Sequence, residues 1–258
     1  MGKVWIKTRY SEELKSEVPH SLNFATAAYG FHEMGTEIVP YHELKEIYDW
    51  ITPDDIVLDY IMPCQDVFKK FGKEVSLPNY PEPLQKFLGR KIWTDTINSI
   101  SSNETKWSAG YFVKPIKEKA FTGKIIKNLS DLISCGSCYE DFEVICSEPI
   151  EIMSEYRCFI YHDNIIDIRP YNFVDTIGYE YNPDVLKYML NAFLTWEERP
   201  VACSLDICVT KDHRTLLVEV NDAYALGCYG LPAITYAKFI SARWAEILDR
   251  PDQYNFKE

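Results

Sequence analysis

The chain has 258 residues, a formal charge of −12 from 27 basic and 39 acidic side chains, and 47% hydrophobic residues. That composition excludes disorder over most of the length, and the net acidity argues against coating nucleic acid by charge. No apolar run reaches the roughly 18–20 residues of a membrane span, and Met1-Gly2-Lys3-Val4-Trp5 has no signal-peptide core, so a cytoplasmic protein without membrane or nucleic-acid partners is expected.

Val4-Trp5-Ile6 reads as a strand, and Ser21 to Met34 as a helix stopped by Gly35. Glu37-Ile38-Val39-Pro40 and Asp55-Ile56-Val57-Leu58-Asp59 are further strands, and Gln65 to Phe71 is a short helix closed by Gly72. Strands alternating with helices predict a small parallel α/β sheet. No GxGxxG follows the first strand, which removes the dinucleotide fingerprint. Pro78, Pro81 and Pro83 mark residues 75–83 as a linker.

Beyond the linker, Leu84 to Ile92 reads as an amphipathic helix, Tyr111 to Pro115 as a strand and Ile116 to Lys124 as a polar loop containing Gly123. Strands follow at Phe142 to Cys146, Glu155 to Tyr161 and Ile165 to Tyr171. A helix from Pro183 to Trp196 gathers Leu186, Met189, Leu190 and Phe193 on one face. A hairpin joins Val201–Thr210 to Thr215–Val220, and a last helix runs from about Pro232 to Leu248. The scattered cysteines behave as small buried hydrophobes and are expected reduced. Cys135-Gly136-Ser137-Cys138 lacks a second ligand pair and reads as a turn rather than a zinc site.

The hairpin carries the strongest chemical signal. With Asp212 and His213 as its loop, counting inward sets Asp206 opposite Glu219, and Asn221 shares their face. Opposed carboxylates among apolar neighbours repel and lose hydration. A bound cation removes the conflict, and Asp206, Glu219 and Asn221 are oxygen ligands suited to Mg²⁺ on substrate phosphates. On that reading Asp206→Asn eases repulsion and leaves the empty protein as stable or more so. A loop of His162-Asp163-Asn164 likewise sets Arg157 opposite Arg169. Glu155 and Asp167 then lie on the arginine face, and Cys158, Ile160, Ile166 and Ile168 on the other. Facing guanidinium groups need anions between them, supplied by protein carboxylates or a phosphoryl group.

The order Lys114-Pro115, loop with Gly123, Glu148, Glu155-Tyr156-Arg157, Arg169, Asp206 and Glu219-Val220-Asn221-Asp222 resembles the ATP-grasp superfamily, and within it the clade named for two arginines and one lysine. The resemblance implies an ATP-grasp fold, α/β in class and α+β in its C-terminal part, over residues 81–258 with subdomains at about 81–143 and 144–258. Residues 1–80 would be the pre-grasp α/β domain. It implies ATP and Mg²⁺ as cofactors, and ligation of a carboxylate to an amine or thiol through an acylphosphate, on small-molecule or peptide substrates. Lys114 matches the lysine on the nucleotide phosphates, and Lys124 is a second contact in the phosphate-covering loop 117–124. Glu148 stands by the adenine amino group. Pro149 has no N–H, so Ile150 or a neighbour serves the ring nitrogen. Glu155 matches the ribose-binding acid, with an arginine ion pair as the alternative. Asp206, Glu219 and Asn221 match the metal ligands, and Arg157 and Arg169 the catalytic arginines. A phosphotransferase on the same fold, or a non-catalytic nucleotide-binding module, remains the alternative.

Overall fold

A computed structural model of the protein describes residues 2–116, 121–133, 135, 140–170 and 178–256. The first unit is built from β1 (Val4–Ser11), β2 (Ser16–Pro19), α1 (Leu22–Glu33), β3 (Ile38–Tyr41), α2 (Leu44–Ile47), β4 (Ile56–Leu58) and α3 (Ile61–Lys70). β1 runs parallel to both β3 and β4, as the alternation predicts, while its outer half pairs antiparallel with β2, a hairpin the sequence reading omitted. Ser21 caps α1 by accepting the Phe24 N–H. The helix ending at Lys70 begins four residues earlier than expected, since Pro63 falls in its first turn, where a missing N–H costs nothing.

After the linker come β5 (Ile92–Thr96), α4 (Ile97–Ser101), α5 (Glu104–Ser108), β6 (Phe112–Pro115), β7 (Lys124–Ile125), α6 (Leu129–Leu132) and β8 (Glu143–Ser147). The expected helix from Leu84 to Ile92 is instead a 3₁₀ segment, Glu82–Phe87, followed by strand β5. Gly89, at φ +60°, breaks the helix there and lets the chain lie against Leu216. These strands form an antiparallel sheet in the order β5-β8-β6-β7, with Ile97, Ile100, Val113, Val144 and Cys146 in its core.

The third part contains β9 (Ile152–Tyr161), β10 (Asn164–Pro170), α7 (Pro183–Phe193), β11 (Ala202–Thr210), β12 (Thr215–Asp222) and α8 (Ala233–Ile247). Its antiparallel sheet has the order β10-β9-β11-β12. Cys158, Ile160, Leu205 and Ile207 face α7 and pack on Leu186, Met189 and Phe193. The last helix, α8, joins the core of the first unit, with Tyr236, Phe239 and Trp244 among Phe31, Val57 and Phe68. Phe159 reaches that core from β9, its ring 5.6 Å from Phe239. The two halves of the chain are thereby locked together by apolar burial, and the remaining face of the third sheet is left for polar groups. Among the described residues no helix is long and apolar enough to cross a membrane.

Candidate functional site

Directly opposed residues of an antiparallel pair share a face, so the registers assign the site. Arg169 opposes Arg157, Arg157 opposes Asp206, and Asp206 opposes Glu219. Two cations and two carboxylates therefore form one row across four strands, on the face away from α7. Lys114, from the other sheet, extends the row: its Nζ lies 2.7 Å from Glu219 Oε2 and 2.9 Å from Asn79 Oδ1.

Both expected pairings occur, but neither loop is the one counted from sequence. His162 and Asp163 both have positive φ, the signature of a two-residue type I′ turn, so Tyr161 opposes Asn164. In the other hairpin Thr210 N–H donates to Arg214 O and His213 is left-handed at φ +60°, which makes a three-residue loop. Each turn alone would slip the register by one residue and send Arg169 and Glu219 into the apolar face beside α7. A bulge at Ile166 and another at Val218 each restore one residue and swing the chain back. The first bulge also corrects the face of Ile166, which packs toward the core containing Phe159 rather than with Cys158 and Ile160.

Arg157 holds Asp206 by two bonds, Nε to Oδ1 at 2.9 Å and Nη2 to Oδ2 at 2.6 Å. Ser204 Oγ donates to Oδ1 at 3.0 Å, and Asn221 Nδ2 reaches Asp206 Oδ2 at 2.9 Å and Glu219 Oε1 at 3.1 Å. Burial pushes the Asp206 carboxyl up, and the Arg157 guanidinium opposes that shift. Burial acts the same way on Glu219, but the Lys114 ammonium, the Asn221 amide and the Arg157 charge together outweigh it and hold the carboxyl below its usual range. Burial would lower Lys114, yet Glu219 and the nearby Tyr80 raise it, so the pair is ionised. Arg169 holds Asp167 through Nε at 2.8 Å and Nη2 at 2.5 Å, both on Oδ2.

Glu155 lies two residues before Arg157 on the same face, opposite Cys208, and makes no ion pair among the described residues. Burial first, then the Asp206 and Glu219 charges, push its carboxyl above the ordinary 4.5. A carboxyl that holds its proton more tightly folded than unfolded destabilises the fold as pH rises from about 4.5 through its folded value. Glu155→Gln should therefore raise the thermal midpoint at pH 7, by roughly 2–4 °C for each kcal/mol relieved, and the gain should vanish below pH 4.5. Melts of both proteins at pH 4 and pH 7 check this; an equal gain at both would assign it to something other than ionisation.

Three expected residues are not joined to the row. Lys124 opposes Val113 in β7, so it lies on the core side of its sheet, away from Lys114, and pairs with the buried Cys135 thiol. In this arrangement Lys124 stands apart from the charged row. Loop residues 117–120 and Cys138 lie outside the described residues. Glu148 and Ile150 line a cleft of about 400 Å³ with Arg90, Thr210 and Arg214, and Glu148 Oε2 accepts the Lys91 N–H at 3.0 Å.

Four neighbours were missed in the sequence. Asn79 and Tyr80 come from the proline-rich linker: Asn79 O accepts the Val220 N–H at 2.8 Å, and Lys114 Nζ stands 4.8 Å over the Tyr80 ring. Nothing in the linker's composition signals this. Ser204 could have been found by its parity with Asp206. Tyr229, whose ring lies 4.5 Å from Arg157 Cζ, could not. Among the described residues no three His, Cys, Asp or Glu side chains cluster as a metal site. Two carboxylates bridged by an amide are nevertheless a fitting partial oxygen set for Mg²⁺, which keeps other positions for phosphate and water.

The sequence profile of an ATP-grasp domain, the second family of the clade named for two arginines and one lysine, matches residues 87–239. No curated protein matches the chain in sequence. Among solved structures, D-alanine–D-alanine ligase from Bacillus anthracis superposes with a TM-score of 0.56 at 14% identity, over 96% of this chain and 99% of that one. N5-carboxyaminoimidazole ribonucleotide synthetase from Thermotoga maritima gives 0.52 at 14% identity, over 97% and 77%. The macrocyclase MdnC from Microcystis aeruginosa MRC, bound with precursor peptide MdnA, gives 0.50 at 11% identity, over 94% and 100%. At these identities the likeness is one of fold.

Proposed function

Because the chain belongs to the ATP-grasp superfamily, in the second family of its two-arginine, one-lysine clade, we propose that it is an ATP- and Mg²⁺-dependent ligase that joins a carboxylate to an amine on an amino-acid, peptide or protein substrate. The family brings the fold, the two cofactors and the carboxylate–amine ligase class. The substrate class and the role of each residue belong to the proposal, as does the division into a pre-grasp unit (1–80) and a grasp unit (81–258). The observation that carries it is the charged row from Arg169 to Glu219, closed by Lys114 from the opposite sheet.

Asp206, Glu219 and Asn221 would hold Mg²⁺, which supplies positive charge to the ATP phosphates. Lys114, at a strand end, contributes a point charge for a phosphate oxygen in exchange for its hold on Glu219. Arg157 and Arg169 present planar donors to the transferring phosphoryl group. The substrate carboxylate attacks the γ-phosphorus and ADP leaves, giving an acylphosphate; the amine then displaces phosphate. Positioning and charge neutralisation suffice for the first step, so no side-chain nucleophile is required. The fold shared with a ligase of two amino acids and with a macrocyclase bound to a peptide supports an amino-acid or peptide substrate.

The test is incubation with Mg-ATP and a pool of amino acids and peptides, read by mass spectrometry. An amide product with equimolar ADP and phosphate is expected. A stable phosphorylated product without free phosphate would replace the ligase reading with a phosphotransferase. Lys114→Ala should raise the KM for ATP while the chain still folds, since the side chain stands at the edge of the row and not in a core.

A further inference from the structure

The segment from Leu226 to Leu231, between a 3₁₀ turn (Ala223–Ala225) and α8, lies over both arginines. Leu231 N–H donates to Cys228 O at 2.9 Å, closing a turn whose central residues are Tyr229 at φ +43° and Gly230 at φ +90°. Turns with two positive φ values belong to Gly, Asn and Asp, and a bulky aromatic residue there is strained. Such strain persists where the surroundings over-determine it, and it concentrates at functional sites.

The surroundings here are specific. The Tyr229 ring lies against the Arg157 guanidinium, 4.5 Å from centroid to Cζ, while Asp206 holds Nε and Nη2 of the same group. A Cβ on Gly227 would stand 2.9 Å from the Tyr229 ring and 3.1 Å from Asn23 Nδ2, so the absence of a side chain lets all three close up. Asn23, at the start of α1, accepts the Cys228 N–H at 3.1 Å. A Cβ on Gly230 would lie 3.7 Å from Arg169 Nη1, so the turn spans both arginines.

We propose that Tyr229 is a positioning residue for Arg157, and that Asn23 of the first unit holds the turn that carries it. Asp206 holds two nitrogens at the edge of the guanidinium, and the Tyr229 ring meets the same group on its face. The ring fixes the plane from its face, by stacking and cation–π attraction. The first unit thereby reaches Arg157 through α1.

The test reads the Arg157 Nε–H resonance by ¹⁵N-resolved NMR alongside steady-state ADP release from Mg-ATP with the amino-acid and peptide pool; only the second arm rests on the ligase reading. Stacking gives the Arg157 proton a ring-current shift, which Tyr229→Leu should abolish and Tyr229→Phe should keep. Tyr229→Leu should lower kcat by roughly 10–100-fold with the KM for ATP little changed, and Tyr229→Phe should recover most of the loss. Asn23→Ala should lower kcat in the same direction, by about threefold or more. An Arg157 resonance unmoved in Tyr229→Leu, or equal kcat for the Leu and Phe variants, overturns the proposal. If the wild type turns over no member of the pool, the substrate reading fails, and the resonance still decides whether Tyr229 positions Arg157.

Discussion

Asp206→Asn is expected to abolish turnover and also to lower the free energy of unfolding, by about 3–5 kcal/mol if the loss resembles other broken buried ion pairs. The sequence alone points the other way, because it shows Asp206 opposed to Glu219 and predicts relief when one charge is removed. The third strand reverses the sign. Arg157 from β9 stands on the other side of Asp206, with side-chain exposures of 5% and 10% for the pair, and takes up both carboxylate oxygens. An asparagine takes the carboxylate charge away from that buried guanidinium and, on the proposed reading, removes a metal ligand in the same change. Glu219→Gln should be milder for the fold, since Glu219 is 28% exposed against 10% for Asp206, and Lys114 keeps Asn79 Oδ1 as an acceptor. Urea unfolding of the three proteins, with Mn²⁺ titration as a stand-in for Mg²⁺, measures both effects. An Asp206→Asn protein as stable as wild type would mean that the Arg157 pair adds nothing to the fold. Retained activity in both variants would reject the metal assignment.

Arg157→Lys and Arg169→Lys are each expected to cut turnover by roughly two to three orders of magnitude with ATP affinity little changed. A lysine keeps the charge, but it has no planar fork and cannot meet two oxygens in one plane. The two variants should differ in stability. Arg157 is buried, and its fork is committed to Asp206, so shortening it to a single ammonium weakens a buried pair. Arg169 is 38% exposed and meets Asp167 through one oxygen, so its loss should stay within about 1 kcal/mol, the range of exposed pairs. Steady-state kinetics with denaturant melts separates the two. Equal destabilisation would mean that Arg157 is less confined than its bonds to Asp206 indicate, and wild-type rates in both would remove the arginines from the chemistry.

The strands and long helices of this protein were legible because their apolar residues recur with the period of the element. Ile38-Val39 and Val144 to Cys146 are short apolar runs set in a core, and Leu186, Met189 and Phe193 recur at helical spacing, so apolar patterning locates each element to within about three residues. The 3₁₀ segment Glu82–Phe87, strand β5 and the short helices α4 and α5 were not, because elements of about five residues are too brief to show a period. The pairings Asp206–Glu219 and Arg157–Arg169 were also legible, since polar residues of one parity have to share a face.

What the sequence could not determine is how the chain reaches those pairings. The turns at His162-Asp163 and at Lys211-Asp212-His213 both differ from the loops counted, and the bulges at Ile166 and Val218 offset them. A bulge has no composition of its own: it forms where burial of the apolar face and closure of a turn demand registers that differ by one residue. Tertiary structure likewise decided the partners of the row. Lys114 meets Glu219 because two sheets face each other, Asn79 joins them because the linker is pinned to β12, and Tyr229 covers Arg157 because α8 packs in the core of the first unit. Contacts between segments a hundred residues apart leave no local pattern, because the free energy that makes them comes from burying whole sheets and helices against one another. The sequence by itself thus specified which residues carry charge on which face, and packing decided which of those charges meet.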